Sequence, residues 1–516
     1  MPKMGLTVTQ AKDIQRDHIE LQTDVVVIGS GAGGAIMAYE LAAAGKKVIV
    51  LESGPYVPST KFTEEIAKAS VDLYQDNGSQ TNHQGDLTLL QGRCVGGSTV
   101  VNAAVTFRTP DHILEGWAHD FGLSQISPKT LKPHFEKIEK RLAINKNGAH
   151  ELNLNHHILE RGGKKLGIPW KPVSRNIKDC ALTGFCLSGC MSDRKQSMLV
   201  TYLPWAVACG AKIYADTHVT QIMEERGRAT GVKAEVVDPD TKRLVSRMRV
   251  KSQVVVLAAG GVQSPILLQK SDLANSSGMV GKNFACHPSL FVAGKLDDPV
   301  YGWKGALTAG YNDAYADHNK GGFILVSNMI GPTEFALAIG SKTGKAHMDF
   351  MKNIKYYAGL NTLIHDENHG QVYLADGVKK VEYSLHPKNH HSIRKALKIA
   401  AKILFASGAK EVFLPTHDGT IIHKPALIDS VIDALTLAPG TLAFTSYHPQ
   451  GTCRMGTNPR QSVVSELGES HDVKGLFIAD GSILPGTTLF HPSLTIYALA
   501  SFIAERMIQN QEKHFA

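Results

Sequence analysis

The clearest pattern in the chain is Asp24-Val25-Val26-Val27-Ile28-Gly29, an apolar β-branched run without polar alternation, as found in strands buried on both faces of a parallel sheet. It leads directly into Gly29-Ser30-Gly31-Ala32-Gly33-Gly34. An alanine-rich stretch, Ala35 to Ala44, then predicts a helix that Gly45 ends. A second apolar run, Lys47-Val48-Ile49-Val50-Leu51-Glu52, predicts the next strand, so these residues make one β-α-β unit. Further along, Lys212–Met223, Gly231–Val237 and Leu244–Val250 predict an antiparallel meander, punctuated by Arg226-Gly227-Arg228 and Asp238-Pro239-Asp240. Val254 to Ala259 reads as another buried strand and Gly475 to Asp480 as a last short one. From Pro492 to Ile508, Ile496, Leu499, Ile503 and Met507 recur at helical spacing on one face. Residues 295–440 alternate, carry several glycines and predict a separate sheet-based lobe, with Trp117 and Trp170 as packing residues in the more polar stretch before it.

Length adds that more than one core is needed, since 516 residues exceed the roughly 250–300 at which a single core stops growing. A composition of 43% hydrophobic and 20% charged residues is that of an ordinary globular protein, which excludes disordered and fibrous classes. The net charge of +8 is scattered without a basic run, so no nucleic-acid partner is expected. Seven cysteines are too few, and odd in number, for a disulfide framework. Residues 1–23 intersperse basic and acidic side chains and contain no apolar block, so no signal peptide is expected. The longest apolar stretches, Gln196–Ala211 and Val254–Leu268, contain Pro204 and Pro265 and fall short of the ~20 residues of a spanning helix. The expectation is a cytoplasmic protein with no transmembrane segment; peripheral membrane association stays open.

Gly29, Gly31 and Gly34 fit G-x-G-x-x-G after a strand and at the opening of a helix, the context in which that spacing carries information. The first glycine makes the tight turn, the second lets a pyrophosphate approach the backbone, and the third permits close packing of helix on strand. The helix N-terminus adds amide donors and a favourable dipole for phosphate. Glu52 ends the second strand, where an acid accepts the hydroxyls of an adenosine ribose. The expected cofactor loop is therefore Gly29, Ser30, Gly31 and Gly34 with Glu52. The pattern alone does not separate FAD from NAD.

Other stretches do. Gly92-Arg93-Cys94-Val95-Gly96-Gly97-Ser98-Thr99-Val100-Val101-Asn102, Gly260-Gly261-Val262-Gln263-Ser264-Pro265 and Tyr447-His448-Pro449-Gln450-Gly451-Thr452-Cys453-Arg454-Met455-Gly456 resemble the glucose–methanol–choline (GMC) family of flavoproteins. So do Asp480-Gly481-Ser482-Ile483-Leu484-Pro485 and His491-Pro492-Ser493-Leu494-Thr495, and the likeness runs in the family's order from residue 24 to 510. The resemblance implies an α/β fold, with a Rossmann-like FAD-binding domain from residues 20–56, 85–110, 196–294 and 441–516. The second α+β substrate-binding lobe and connecting segments would be residues 57–84, 111–195 and 295–440. It implies oxidation of an alcohol, with FAD as hydride acceptor, His448 as base and His491 as the partner that orients the substrate. A group titrating near neutrality suits removal of a hydroxyl proton. Pro492 suits a first helical turn, which would put His491 at the positive end of the last helix. By the same resemblance Gly92, Gly97 and Asn102 belong to a loop wrapped round the flavin, Val219 lies beside the adenine, and Asp480 contacts the ribityl–phosphate part.

Cys180, Cys186 and Cys190 lie within eleven residues and lack the paired Cys-x2-Cys of structural zinc sites. They resemble the iron–sulfur segment of certain sugar dehydrogenases of the family, and equally the cysteine-rich segment of its long-chain alcohol oxidases. Packing as reduced thiols is the favoured expectation. Asn102 to Pro110 is more similar to the alcohol oxidase branch, which implies a primary or secondary apolar alcohol, a small molecule, as substrate, with the reduced flavin reoxidised by oxygen or by a quinone or cytochrome. The rival readings are an iron–sulfur sugar or polyol dehydrogenase, a lyase or photochemical member that keeps both histidines, and a flavin-binding protein without activity.

Overall fold

The computed structural model describes residues 5–338, 343–367 and 369–515, except the side chains of Glu334, Leu337 and Ala338. Two sheets organise the chain. The first has seven strands in the order Lys212–Tyr214, Val48–Leu51, His18–Ile28, Leu244–Leu257, Arg228–Val237 and Thr217–Glu225, with Leu476–Ile478 beside Leu244–Leu257. Five of them, Lys212–Tyr214, Val48–Leu51, His18–Ile28, Leu244–Leu257 and Leu476–Ile478, pair parallel: Ile28 lies level with Leu51 on one side and Leu257 on the other. Val25, Val26 and Val27 are fully buried, as expected of a run with no polar face.

The meander differs from the pattern in two ways. Lys212–Met223 is two strands, because Asp216 takes a left-handed φ of 55° that breaks the extended backbone. Conversely, Leu244–Val250 and Val254–Ala259 are one strand of 14 residues, Leu244–Leu257. Its first half pairs antiparallel with Arg228–Val237 while Arg247 to Leu257 follow His18–Ile28 in parallel, so one strand joins the meander to the nucleotide-type sheet.

The second sheet has nine strands, centred on Ser289–Lys295, Tyr357–Ile364, Phe323–Asn328 and Thr308–Asn312. Alternation sorts its faces. Ala358, Leu360 and Ile364 join the core under the helix Asn389–Ala406, whereas Asn361 and Leu363 face an internal cavity.

Several segments sit elsewhere than their expected lobe. Leu87–Leu89, Ser289–Lys295 and Phe444–Ser446 are strands of the second sheet, although residues 85–110, 196–294 and 441–516 were expected in the cofactor domain. Leu114, Trp117, Leu131, Phe135 and Ile138 share the first sheet's core, within residues 111–195 that were expected as substrate-binding lobe and connecting segments. The reason is packing: the helix Pro128–Arg141 covers the terminal helix Ser493–Gln509, which lies against the helix Ala32–Ala43. Trp170 belongs to the second core. Among the described residues, no helix is long and apolar enough to cross a membrane.

Candidate active site

At the C-terminal end of the central strand the chain turns at Gly29, with φ +96°, into the helix Ala32–Ala43. Glycine is required here by contact as well as conformation. A Cβ on Gly29 would stand 2.5 Å from the Ala258 carbonyl oxygen, and one on Gly34 2.0 Å from that of Gly29. Gly97, with φ +54°, lies over the turn so closely that its own Cβ would stand 2.8 Å from the Gly31 Cα. Gly92 packs in turn against Gly97, where a Cβ would approach the Gly97 carbonyl carbon to 2.6 Å. The residue that no motif distinguishes, Gly33, is the tightest: its Cβ would fall 1.6 Å from the Ala479 carbonyl oxygen.

Glu52 and Asp480 close the two ends of this cradle. The Ser30 N–H and hydroxyl donate to Glu52 Oε2 at 2.9 and 2.7 Å, and the Gly54 N–H donates to Oε1 at 2.9 Å. Ser30 is fully buried and also receives the Gly96 N–H, so it ties Glu52 to the glycine loop. Asp480 accepts the Gly260 N–H at 2.8 Å and the Ser264 hydroxyl at 2.5 Å through Oδ2, and the Ser482 N–H at 2.8 Å through Oδ1.

These groups line one cavity of about 730 Å³. Gly29, Gly31, Glu52, Gly92, Gly97 and Asn102 are on its wall, as are Val219, Asp480 and Pro492. Gly34 and Ser30 stand behind that wall, where they set the turn and hold Glu52. Pro492 caps the helix Ser493–Gln509 one residue before its first turn.

His448 and His491, 43 residues apart in the sequence, meet at the far end of the same cavity with ring centroids 4.8 Å apart and planes at 72°. His448 leaves the strand Phe444–Ser446, and its N–H donates to the Ser446 hydroxyl. A third imidazole, absent from the sequence expectations, completes the group: His287 Nδ1 lies 3.3 Å from His448 Nδ1. Reciprocal main-chain bonds between Ala285 and Gln450 hold the two segments side by side. Asp366 accepts the Cys286 and His287 N–H groups at 2.9 Å each, and the Tyr383 hydroxyl at 3.0 Å. Burial, reinforced by the neighbouring imidazoles, holds His448 and His287 well below the ordinary histidine range, and burial alone lowers His491 to about 4. All three rings are therefore neutral near pH 7, with lone pairs that accept protons. A signal for His287 does exist. Four of the 23 histidines directly precede a proline, and His287, His448 and His491 are three of them.

The cysteine segment serves the cradle from behind. Lys195, which is buried, donates to the carbonyls of Val100 at 2.6 Å, Asn102 at 2.8 Å and Cys186 at 2.8 Å, so it pins the loop bearing Asn102. Burial lowers Lys195 to about 8. Cys180, Cys186 and Cys190 are free thiols. Burial pushes Cys186 up, whereas hydrogen bonds with Ser192 and Lys195 outweigh burial at Cys190 and lower it. Among the described residues, no three His, Cys, Asp or Glu side chains are arranged to hold a metal ion.

Comparison with known proteins fits this geometry. Two models of the GMC oxidoreductase family match residues 70–289 and 366–500. The chain belongs to this family. A model of the FAD-binding domain matches residues 24–93, and FAD is the cofactor of this GMC oxidoreductase. A GMC-type oxidoreductase of Mycobacterium tuberculosis, described as uncharacterised, is 30% identical over 490 residues, 94% of this chain and 76% of that one. A long-chain-alcohol oxidase of Arabidopsis thaliana is 28% identical over 553 residues, 99% of this chain and 72% of that one. Among solved structures, pyridoxine 4-oxidase from Mesorbium loti shares the fold with a TM-score of 0.69 at 19% identity, covering 94% of this chain and 98% of that one. The protein is thus an FAD-dependent oxidoreductase of the alcohol oxidase and dehydrogenase type. The cradle suits the cofactor: the glycine turns clear a backbone surface for a pyrophosphate, and two buried carboxylates, Glu52 and Asp480, offer hydrogen-bond acceptors along it.

Proposed function

We propose that this GMC oxidoreductase oxidises an alcohol to the aldehyde or ketone, with His448 as base and His491 as the group that orients the hydroxyl. Bound FAD supplies a hydride acceptor at N5. Gly31, Gly97 and the N-terminus of the helix Ala32–Ala43 would hold its pyrophosphate, Glu52 its adenosine ribose and Asp480 its ribityl chain. Val219 would pack beside the adenine and Asn102 with Gly92 against the ring system. Pro492 would begin the helix whose positive end receives the charge of reduction.

The observation that carries the reading is the pair of neutral imidazoles at 4.8 Å in the cavity that the dinucleotide loop opens into. With Nδ1 of His448 engaged by His287, Nε2 is the nitrogen left to accept the hydroxyl proton. His491 fixes the oxygen so that the C–H bond points at the acceptor, a positioning contribution. Leu307, Val326 and Leu363 on the cavity wall, beside Asn328 and Asn361, suit an alcohol with an apolar body and one polar end. The long-chain-alcohol oxidase relative supports the same class.

The test is anaerobic mixing of the flavin-loaded protein with straight-chain primary, secondary and polyol substrates while the visible flavin band is followed. Bleaching by apolar alcohols is expected. His448→Ala should slow it by at least ~10²-fold with flavin still bound, and an unchanged rate would remove His448 from the reaction. Air admitted afterwards reports whether oxygen reoxidises the protein or a quinone or cytochrome is needed.

A further inference from the structure

The hydroxyl proton that His448 accepts has to leave a buried site. An imidazolium there would be buried beside two other imidazoles. The structure offers a row of imidazoles that starts at His287 on the cavity wall and ends at the surface. Behind His448 lies His287, Nδ1 to Nδ1 at 3.3 Å. Behind His287 lies His365, ring centroids 6.4 Å apart. Against His365 lies His318, centroids 4.2 Å apart, and His318 is exposed. Two ring nitrogens along this row, His287 Nε2 and His365 Nδ1, are buried without a hydrogen-bond partner in the protein. A buried polar atom without a partner destabilises the fold, so two on adjacent rings call for a use.

We infer that His287, His365 and His318 form a proton relay connecting His448 to solvent. This rests on the reading of His448 as base. The hydroxyl O–H bond breaks and an N–H bond forms at His448 Nε2, while the proton on His448 Nδ1 passes to Nδ1 of His287. His287 releases its Nε2 proton toward His365. At 6.4 Å between ring centroids the two rings are too far apart for a direct hydrogen bond, so this step runs through a bridging water. His365 accepts that proton at Nδ1 and gives up the one on Nε2, which passes by way of exposed His318 to bulk water, and no electrons move along the row. His448, His287 and His365 end neutral with tautomers exchanged, and exchange with water restores them after product leaves. The groups that face the row are few. Asp366 binds the His287 N–H, His491 faces His448, and exposed His112 stands near His365 beside His318.

The test uses the flavin-loaded enzyme with ferricyanide, an acceptor that takes electrons but no protons, and the best alcohol of the straight-chain panel. In His365→Phe, which keeps the ring's bulk, steady-state turnover should fall at least ~10-fold while the first anaerobic bleaching stays within about 2-fold, and millimolar imidazole should restore turnover. His318→Ala, at an exposed site that poses no threat to folding, should show a smaller loss with the same rescue. A readout independent of activity is nitrogen-15 NMR of histidine-labelled protein. Solvent exchange of the His448 ring proton, identified by its loss in His448→Ala, should slow at least ~10-fold in His365→Phe. Wild-type turnover and exchange in His365→Phe, or a loss that imidazole leaves untouched, overturns the relay. If His448→Ala bleaches as fast as wild type, it is the base assignment that fails, and the two failures are distinct.

Discussion

Gly33→Ala is the most direct test of how the cradle is held. The new methyl group would lie 1.6 Å from the Ala479 carbonyl oxygen, 2.7 Å from its carbon and 3.5 Å from the Asp480 Cα. To restore an ordinary contact, the helix Ala32–Ala43 and the end of the strand Leu476–Ile478 must separate by about 1.5 Å. Both partners are backbone, so no side chain can swing aside. Overpacking of this kind costs about 1–3 kcal/mol when side chains can give way, and here at least about 3 kcal/mol is expected. At about 2.1 cal/mol/K per residue, unfolding 516 residues carries roughly 1.1 kcal/mol/K, so 3 kcal/mol lowers Tm by about 3 °C. The larger effect is on the cofactor, because the separation carries Asp480 away from Gly260 and Ser264; flavin per chain should fall below roughly half of wild type. Gly116→Ala is the control. It lies inside the helix Asp111–Phe121 with nothing within 4 Å of the added carbon, and should be neutral or stabilising by up to about 1 kcal/mol. The assay is the flavin-to-protein absorbance ratio with a thermal melt. A Gly33→Ala protein with full flavin and an unshifted melt would refute the contact argument.

Two further outcomes are expected. Glu52→Gln replaces an oxygen that accepts from Ser30 or Gly54 with an N–H that faces their donors, so flavin titration of the apoprotein should give a Kd about 10- to 100-fold higher, and an unchanged Kd removes Glu52 from cofactor binding. Acid should destabilise the fold through its buried histidines: their folded values lie below the unfolded ~6.5, with His491 at about 4 and His365 at about 3, so the unfolded chain binds more protons and stability falls as pH drops from about 6.5 toward 4, by up to about 1.4 kcal/mol per pH unit for each histidine. Urea midpoints that stay flat from pH 7 to about 5 would contradict this, because above about 6.5 these groups contribute no slope.

The β-α-β unit at residues 24–52 was legible because everything it needs is local: an unbroken apolar run, glycines at fixed offsets and an acid at a strand end. The stretches around His448 and His491 were legible by family likeness, and the model matches bear out the family. What stayed hidden depends on contacts between distant segments. Gly33 looks like any helix glycine until Ala479 is laid against it, and His287 shares its His-Pro pair with three other histidines until Ala285 pairs with Gln450 and singles it out. Lys195 gives no sign in the sequence that it will be buried under three carbonyls. The continuity of Leu244–Leu257 escaped for a related reason: its polar first half borders the meander and its apolar second half the parallel core, so a change of environment looked like a break in the strand.

The contact of Gly33 with Ala479 has a consequence for the order of events during synthesis. One wall of the cradle is made before residue 60 and the other after residue 475, and His448 and His491 are also late. On the ribosome, the emerging glycine turn has nothing to close against until nearly the whole polypeptide has been translated. Cofactor capture therefore belongs to the end of biogenesis, and a chain released early keeps an open, unloaded nucleotide strand to be cleared by proteolysis.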